Sequence, residues 1–332
     1  MTKLIKTEQH QQYFSIDNVG ERLRIFFNCF ATSGCKKKYF RMNKEGSPQI
    51  IEPTYSHVFN FEKNYFYSDT QKWIQNNFQY CYYCCIIYVI LIFGGKYYMS
   101  SRPKFDLKRP LALWSGFFAV FSIIGFCRTA PEMFSTLRHH GFYHSICIPS
   151  NLLQDHVSGF WTWVFVLSKI PEFGDTIFIV LRKQPLIFLH FYHHLTVVLF
   201  SWFTYAETTA LSRWYTVMNY FVHSWMYSYY TLKAMQYKLP KGFAMMITTM
   251  QLVQMVIGCV ATIVAYYYPE IRGLECYITR KNVIFGFAIY FSYLILFGKF
   301  FFKAYLSEKR KNKVGENVHV DGRKEYYKPK TS

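Results

Sequence analysis

Long apolar runs recur along the chain between short polar segments, and their length sets the first expectation. A hydrocarbon core about 30 Å thick takes roughly 20 apolar residues of helix to cross. Seven segments reach that length: 76–95, 111–129, 158–181, 186–204, 211–232, 243–266 and 283–302. The third, fourth and fifth carry polar residues and are assigned on total length rather than purity. In lipid only helices and closed barrels satisfy their backbone groups, and runs this long are helices. The pattern therefore predicts an all-α membrane protein with seven transmembrane helices.

Charge then orients the helices. The 332 residues carry a formal net charge of +19, with 52% hydrophobic residues and a mean hydropathy of +0.02. A basic balance alone points to nucleic acid or an anionic membrane surface. The long apolar runs decide between them: the charge belongs to the loops of a membrane protein, and nucleic acid is excluded as a partner. The connection 96–110, the loops after the third and fifth spans and the tail from 303 together hold nineteen Lys and Arg, and the opposite loops hold six. By the positive-inside rule this predicts a cytosolic C-terminus and, with seven spans, a lumenal or external N-terminus. Residues 1–75 hold eleven basic residues, including KKKYFR (Lys36 to Arg41), but that cluster lies far upstream of the first span, where the rule weakens. No secretory signal peptide is visible. The chain divides into an N-terminal extension, 1–55, expected to lack a folded structure and assigned no function; a membrane domain, 56–305; and a basic tail, 306–332.

The same topology puts Cys147 and Cys276 on the non-cytosolic side. If that side is oxidising, the two are free to pair as a disulfide joining two loops.

Ionisable groups at membrane depth are rare and mark function. Four clusters stand out, all at helical spacing. KIPEFGDT carries Lys169, Glu172, Asp175 and Thr176, with Pro171 loosening the helix; its structural reading is a buried ion pair of Lys169 with Glu172 or Asp175. LHFYHHLTVV places His190, His193 and His194 at i, i+3 and i+4, on one helical face. NYFVHSWMYSYY makes a stripe of Asn219, His223, Met226 and Tyr230 with Tyr227 beside it, and TTMQLVQ adds Thr248, Gln251 and Gln254. The tyrosines also suit an interfacial belt, and the glutamines suit interhelical hydrogen bonding.

Three chemistries compete for the histidines. A membrane di-iron desaturase or hydroxylase also carries HxxHH, but needs roughly eight histidines in three boxes; here only four of the eleven lie in spans. His139, His140, His144 and His156 fall on the opposite side of the membrane. A zinc site from the trio plus His223 lacks a carboxylate signature. A transporter or receptor with buried histidines is the third possibility, but no inverted repeat or matched pair of broken helices is present.

The four motifs, in this order and on these spans, resemble the fatty acid elongases, the 3-ketoacyl-CoA synthases of the endoplasmic reticulum. The resemblance runs from about Phe59 to Tyr305. LRKQPLIFLHFYHH and FNFEKNY are most similar to the subfamily that extends saturated and monounsaturated palmitoyl-type chains. It implies that the last six of the seven helices ring a narrow acyl-chain tunnel, closed on the lumenal side and open to the cytosol, and that neither metal nor other cofactor is required. The substrates it implies are acyl-CoA and malonyl-CoA. His193 is the expected nucleophile, through a ping-pong acyl-imidazole scheme. His190 and His194 would tune it, and His223, Asn219 and Gln254 would stabilise developing oxyanions. Lys169, Glu172 and Asp175 are expected to hold the scaffold, and Arg182, Lys183, Lys233, Lys238 and Lys303 to meet CoA phosphates. The C-terminal KPKTS resembles a dilysine retrieval signal. Expected partners are sister elongases in homo- or hetero-oligomers, and the 3-ketoacyl-CoA reductase, 3-hydroxyacyl-CoA dehydratase and enoyl-CoA reductase of the cycle.

Overall fold

The computed structural model describes Pro53 and residues 55–307; the rest of the N-terminal extension and the basic tail with its KPKTS end lie outside the described residues. Among the described residues every regular element is helical. Two short helices, α1 (Asn60–Lys63) and α2 (Tyr67–Asn76), precede α3 (Phe78–Met99) and the long α4 (Lys108–His139). Gly141, at φ 79°, then turns the chain into α5 (Gly141–Cys147) through a conformation that costs a side-chain-bearing residue more. There follow α6 (Ser150–Leu153), α7 (His156–Ser168), a 3₁₀ turn (Pro171–Phe173) and α8 (Gly174–Leu181). The last four helices are α9 (Phe188–Ala206), α10 (Ser212–Ala234), α11 (Lys241–Ile271) and α12 (Arg280–Phe301).

Helices cover all seven segments expected to span, with one correction. The third is two helices, because Pro171 has no amide hydrogen to donate back to the preceding turn and starts a new one. Four helices, α3, α4, α11 and α12, are long and apolar enough to cross a membrane by length and composition. The shortfall of the others has a local cause: α7 and α8 are short pieces, and α9 and α10 carry the histidines and other polar groups of the site. Apolar side chains on the outer faces, such as Ile90 in α3, Leu113 in α4 and Val260 in α11, are exposed as lipid contact requires. The chain is a multi-pass membrane protein.

Helix packing closes on itself. α4 packs on α7, α7 on α9, α9 on α12, α12 on α11, α11 on α10, and α10 returns to α4 along their length. α3 stands outside this cycle, against α8 and α9. Polar side chains of α9, α10 and α11, among them His190, His223 and Gln254, line a common void, and the site lies there.

At the end away from the basic connections, buried ion pairs and hydrogen bonds tie the loops together. Arg213 of α10 donates through Nε and Nη2 to Glu132, at 2.7 and 2.8 Å, and through Nη1 to the carbonyl of Ser145 at 2.7 Å. Arg128 pairs with Glu62, whose carboxylate also accepts from Trp161. Tyr55 donates to Asp155 at 2.5 Å, so the folded unit begins before residue 56. Asp155 caps α7 by accepting from the amides of Val157 and Ser158. A disulfide joins Cys147 to Cys276.

Candidate active site

The break at Pro171 is what assembles the polar centre. Lys169 ends α7 and Glu172 sits in the 3₁₀ turn, so their side chains meet, Nζ to Oε1 at 2.8 Å, each 2% exposed. Ser168 also donates to Glu172 Oε1. Lys169 Nζ makes a second bond, 3.0 Å to Asn219 Oδ1, across to α10. An ammonium group only donates, so Asn219 must present its oxygen to Lys169 and its amide nitrogen to His223 Nε2, 3.2 Å away. His223 Nε2 is then an acceptor and the ring carries its proton on Nδ1. That nitrogen faces Glu172 Oε2 at 4.0 Å, a buried oxygen with no hydrogen-bond partner among the described residues.

Of the two carboxylates expected for Lys169, Glu172 makes the ion pair, and Asp175 instead accepts from Trp114 Nε1 and from the Tyr227 hydroxyl, both at 2.7 Å, and so links α8 to α4 and α10.

The three histidines of α9 share a face but not an environment. His190 Nε2 lies 2.9 Å from Thr176 Oγ1, which is 2.8 Å from the Tyr88 hydroxyl. His194 is buried, and its Nδ1 has no hydrogen-bond partner among the described residues. The His193 ring packs beside Tyr293, centroids 4.9 Å apart. No hydrogen bond to a His193 ring nitrogen is formed among the described residues, which leaves that ring open to a reactant. Among the same residues no group of three His, Cys, Asp or Glu is arranged to hold a metal ion.

Two voids meet at these residues. The larger, about 550 Å³, is lined by His190, His193, His194, Asn219 and His223, and by Tyr227, Tyr230, Gln251 and Gln254. Arg182, Gln184 and Lys233 lie on its wall. The smaller, about 40 Å³, continues past His193, Asn219 and Gln254, which line both. On α9 it follows the stripe His193, Val197, Ser201 and Tyr205, a run of about 18 Å at 1.5 Å per residue. Its other walls are Phe165 and Val166 of α7, Tyr215 and Thr216 of α10, and Ile289, Tyr290 and Tyr293 of α12.

Most of the sequence-derived residues converge here. Gln251 donates to Met226 Sδ at 3.5 Å, and Thr248 and Tyr305 also line the larger void. Of the five basic residues expected at the mouth, Arg182 and Lys233 line the void, whereas Lys183, Lys238 and Lys303 do not. Lys183 instead donates to the carbonyls of Ser100 and Arg102, holding the connection between α3 and α4. Sequence reasoning passed over Tyr88, Trp114 and Tyr293. Tyr88 lies in an apolar run among other tyrosines, and no pattern in that run separates a site residue from a lipid-facing one.

Comparison with known proteins bears on the same region. Residues 73–313 match the ELO: GNS1/SUR4 family. The chain is 52% identical over 258 residues to very long chain fatty acid elongase 6 of Drosophila melanogaster, covering 77% of this chain and 82% of that protein. It is 44% identical over 253 residues to very long chain fatty acid elongase 6 of Mus musculus, covering 76% and 94%. It is 42% identical over 283 residues to putative fatty acid elongase 3 of Caenorhabditis elegans, covering 83% and 88%.

Proposed function

The chain belongs to the ELO: GNS1/SUR4 family, and on that premise we propose that it is a fatty acid elongase, the very-long-chain 3-oxoacyl-CoA synthase that condenses acyl-CoA with malonyl-CoA. The observation that carries the reading is the position of His193, Asn219 and Gln254 where a wide void with basic residues on its wall narrows into a second void between helices. Such a junction suits a thioester whose CoA lies on one side and whose acyl chain lies on the other. The donors are saturated and monounsaturated chains of the palmitoyl type, in keeping with the relatives named elongase 6.

A ring nitrogen of His193 attacks the thioester carbonyl carbon; the C–S bond breaks, the proton on the other ring nitrogen passes to the departing sulfur, and CoA leaves as the thiol, giving a neutral acyl-imidazole. Malonyl-CoA then loses carbon dioxide, and the C2 carbon of the resulting enolate attacks the acyl carbonyl. The C–N bond to His193 breaks, the ring takes up one proton from solvent to return to neutral imidazole, and 3-ketoacyl-CoA two carbons longer is released. Asn219, through the second hydrogen of its amide, and Gln254 supply hydrogen bonds to the oxygens that gain negative charge, and His223 fixes the orientation of the Asn219 amide. Glu172 and Lys169 hold Asn219 and His223 in register, and Thr176 holds His190. Arg182 and Lys233 meet the phosphates of CoA. No cofactor enters the scheme.

The seven helical segments are read as seven spans, with the N-terminus lumenal and the C-terminus cytosolic in the endoplasmic reticulum membrane. Its product is a substrate for a ketoreductase, so the remaining enzymes of the cycle and sister elongases are its expected partners. Microsomes expressing the chain should convert labelled malonyl-CoA and palmitoyl-CoA to the 3-keto product; no product from a range of donors would contradict the assignment. His193→Ala should abolish condensation and leave no acyl adduct on the protein. An adduct surviving on that variant would refute the nucleophile.

A further inference from the structure

The smaller void has a volume of only about 40 Å³, which leaves room for about three water-sized groups. Its depth therefore depends on where its aromatic walls rest. Tyr290 of α12 is one of those walls, and its ring rests against Gly258 of α11. A methyl group on Gly258 would stand 2.2 Å from Tyr290 Cδ1 and 2.3 Å from Cε1, distances no pair of carbons tolerates. The missing side chain is a recess in α11 that receives the Tyr290 ring. The ring is backed by Tyr215, whose centroid is 4.8 Å away in a stacked arrangement, and Tyr215 is itself held to Thr262 at 2.8 Å. With α11 on one side and Tyr215 on the other, a displaced Tyr290 ring has the void to move into. One turn from Tyr290 on the same helix, packing is also close. A methyl group on Gly286 of α12 would stand 3.2 Å from Phe200 Cζ and 3.4 Å from the Tyr215 hydroxyl, and both of those side chains line the void.

We propose that the Gly258–Tyr290 pair is a determinant of acyl chain length: the recess at Gly258 parks Tyr290 out of the acyl path, and the depth of that path follows the position of the ring. This rests on the elongase reading of the site. The pair touches neither His193 nor the basic residues at the wide end, but Tyr290 is hydrogen-bonded to Gln254 at the junction, so the decisive readout is the ratio between donors of different length, which a change at Gln254 common to all donors does not move. Filling the recess with one methyl group shortens the path, and trimming Tyr290 lengthens it.

The test uses the full-length protein in detergent or nanodiscs, with lauroyl-, myristoyl-, palmitoyl- and stearoyl-CoA as donors and malonyl-CoA as extender. Gly258→Ala should lower the palmitoyl-to-lauroyl ratio of kcat/KM by about tenfold or more, the scale on which a pocket discriminates a poorly fitting methylene. Tyr290→Leu should raise the stearoyl-to-palmitoyl ratio. The double variant Gly258→Ala/Tyr290→Leu should recover palmitoyl use, because the clashing ring is gone. Donor profiles parallel to that of the unmodified protein in Tyr290→Leu and in the double variant would overturn the proposal, and these two variants decide it if Gly258→Ala fails to fold. An unmodified protein that condenses none of the four donors would instead sink the elongase reading.

Discussion

Glu172 Oε2 faces His223 Nδ1 at 4.0 Å, in a site where Glu172's other oxygen is already committed to Lys169. The arrangement places a carboxylate behind the protonated nitrogen of an imidazole whose second nitrogen meets Asn219. It is an orienting contact, poised to strengthen if His223 gains positive character.

Glu172→Gln keeps an oxygen to accept from Lys169 while removing the charge that faces His223, although the buried ammonium then lacks its anion and some stability should be lost. The expected result is a fall in kcat of at least about tenfold, with little change in KM for malonyl-CoA. Lys169→Met should behave differently. It leaves a buried carboxylate without its cation, which costs about 3–5 kcal/mol, and its main effect should be lower thermal stability. Equal losses of stability in both variants, with kcat intact in the folded fraction of Glu172→Gln, would argue for a purely structural role.

The basic residues divide by position. Arg182→Gln and Lys233→Gln should each raise KM for malonyl-CoA several-fold, more steeply at low than at high salt. Lys183→Gln should leave KM near that of the unmodified protein, because its ammonium is spent on the carbonyls of Ser100 and Arg102. A KM effect as large for Lys183 as for Arg182 would contradict this division.

The Cys147–Cys276 bridge closes a loop with a sequence separation of 129 residues, and a loop of that size restricts the unfolded chain strongly. Cys147→Ser should lower the melting temperature of the purified protein by several degrees, and reductant should lower that of the unmodified protein similarly. Free thiols at both positions by mass mapping would refute the bridge.

Two groups outside the spans give opposite pH dependences. Burial pushes the Asp155 carboxyl up from 3.8 to about 6, against the lowering hydrogen bond from Tyr55. Burial, with His140 and Arg213 nearby, pushes the His144 imidazole down from 6.5 to about 4. Between pH 4 and 6 folded Asp155 keeps a proton that the unfolded chain has released, so its contribution to stability falls as pH rises. Over pH 6.5 to 4 the unfolded chain takes up a proton that folded His144 refuses, so its contribution falls as pH drops. Melting curves should therefore show Asp155→Asn losing stability on acidification faster than the unmodified protein, and His144→Gln more slowly. Parallel curves for all three would contradict both assignments.

Much of the site was legible because helical spacing is a local property. His190, His193 and His194 share a face at i, i+3 and i+4 wherever α9 packs, and Asn219 and His223 share one at i and i+4. What spacing cannot express is which partner each side chain finds. Glu172 and Asp175 were both candidates for Lys169, and the fold gives the ion pair to Glu172 and sends Asp175 to Trp114 and Tyr227. Tyr88 carried no signal, because its role comes from α3 packing beside α8, a contact between residues 88 positions apart.

The sequence by itself determined that the chain is helical, that it is apolar enough to enter a membrane, and which residue types stand at membrane depth, since all three follow from composition and period along one strand of chain. Only the tertiary structure decided that six helices pack in a closed cycle, and that the three histidines differ, with His190 tied to Thr176, His194 buried and His193 open to two voids. It alone showed that Gly258 is a seat for Tyr290. The reason is physical: hydrophobic period reports how a helix faces its surroundings, whereas hydrogen bonds and ring contacts between helices depend on crossing and register, which distant parts of the chain set together.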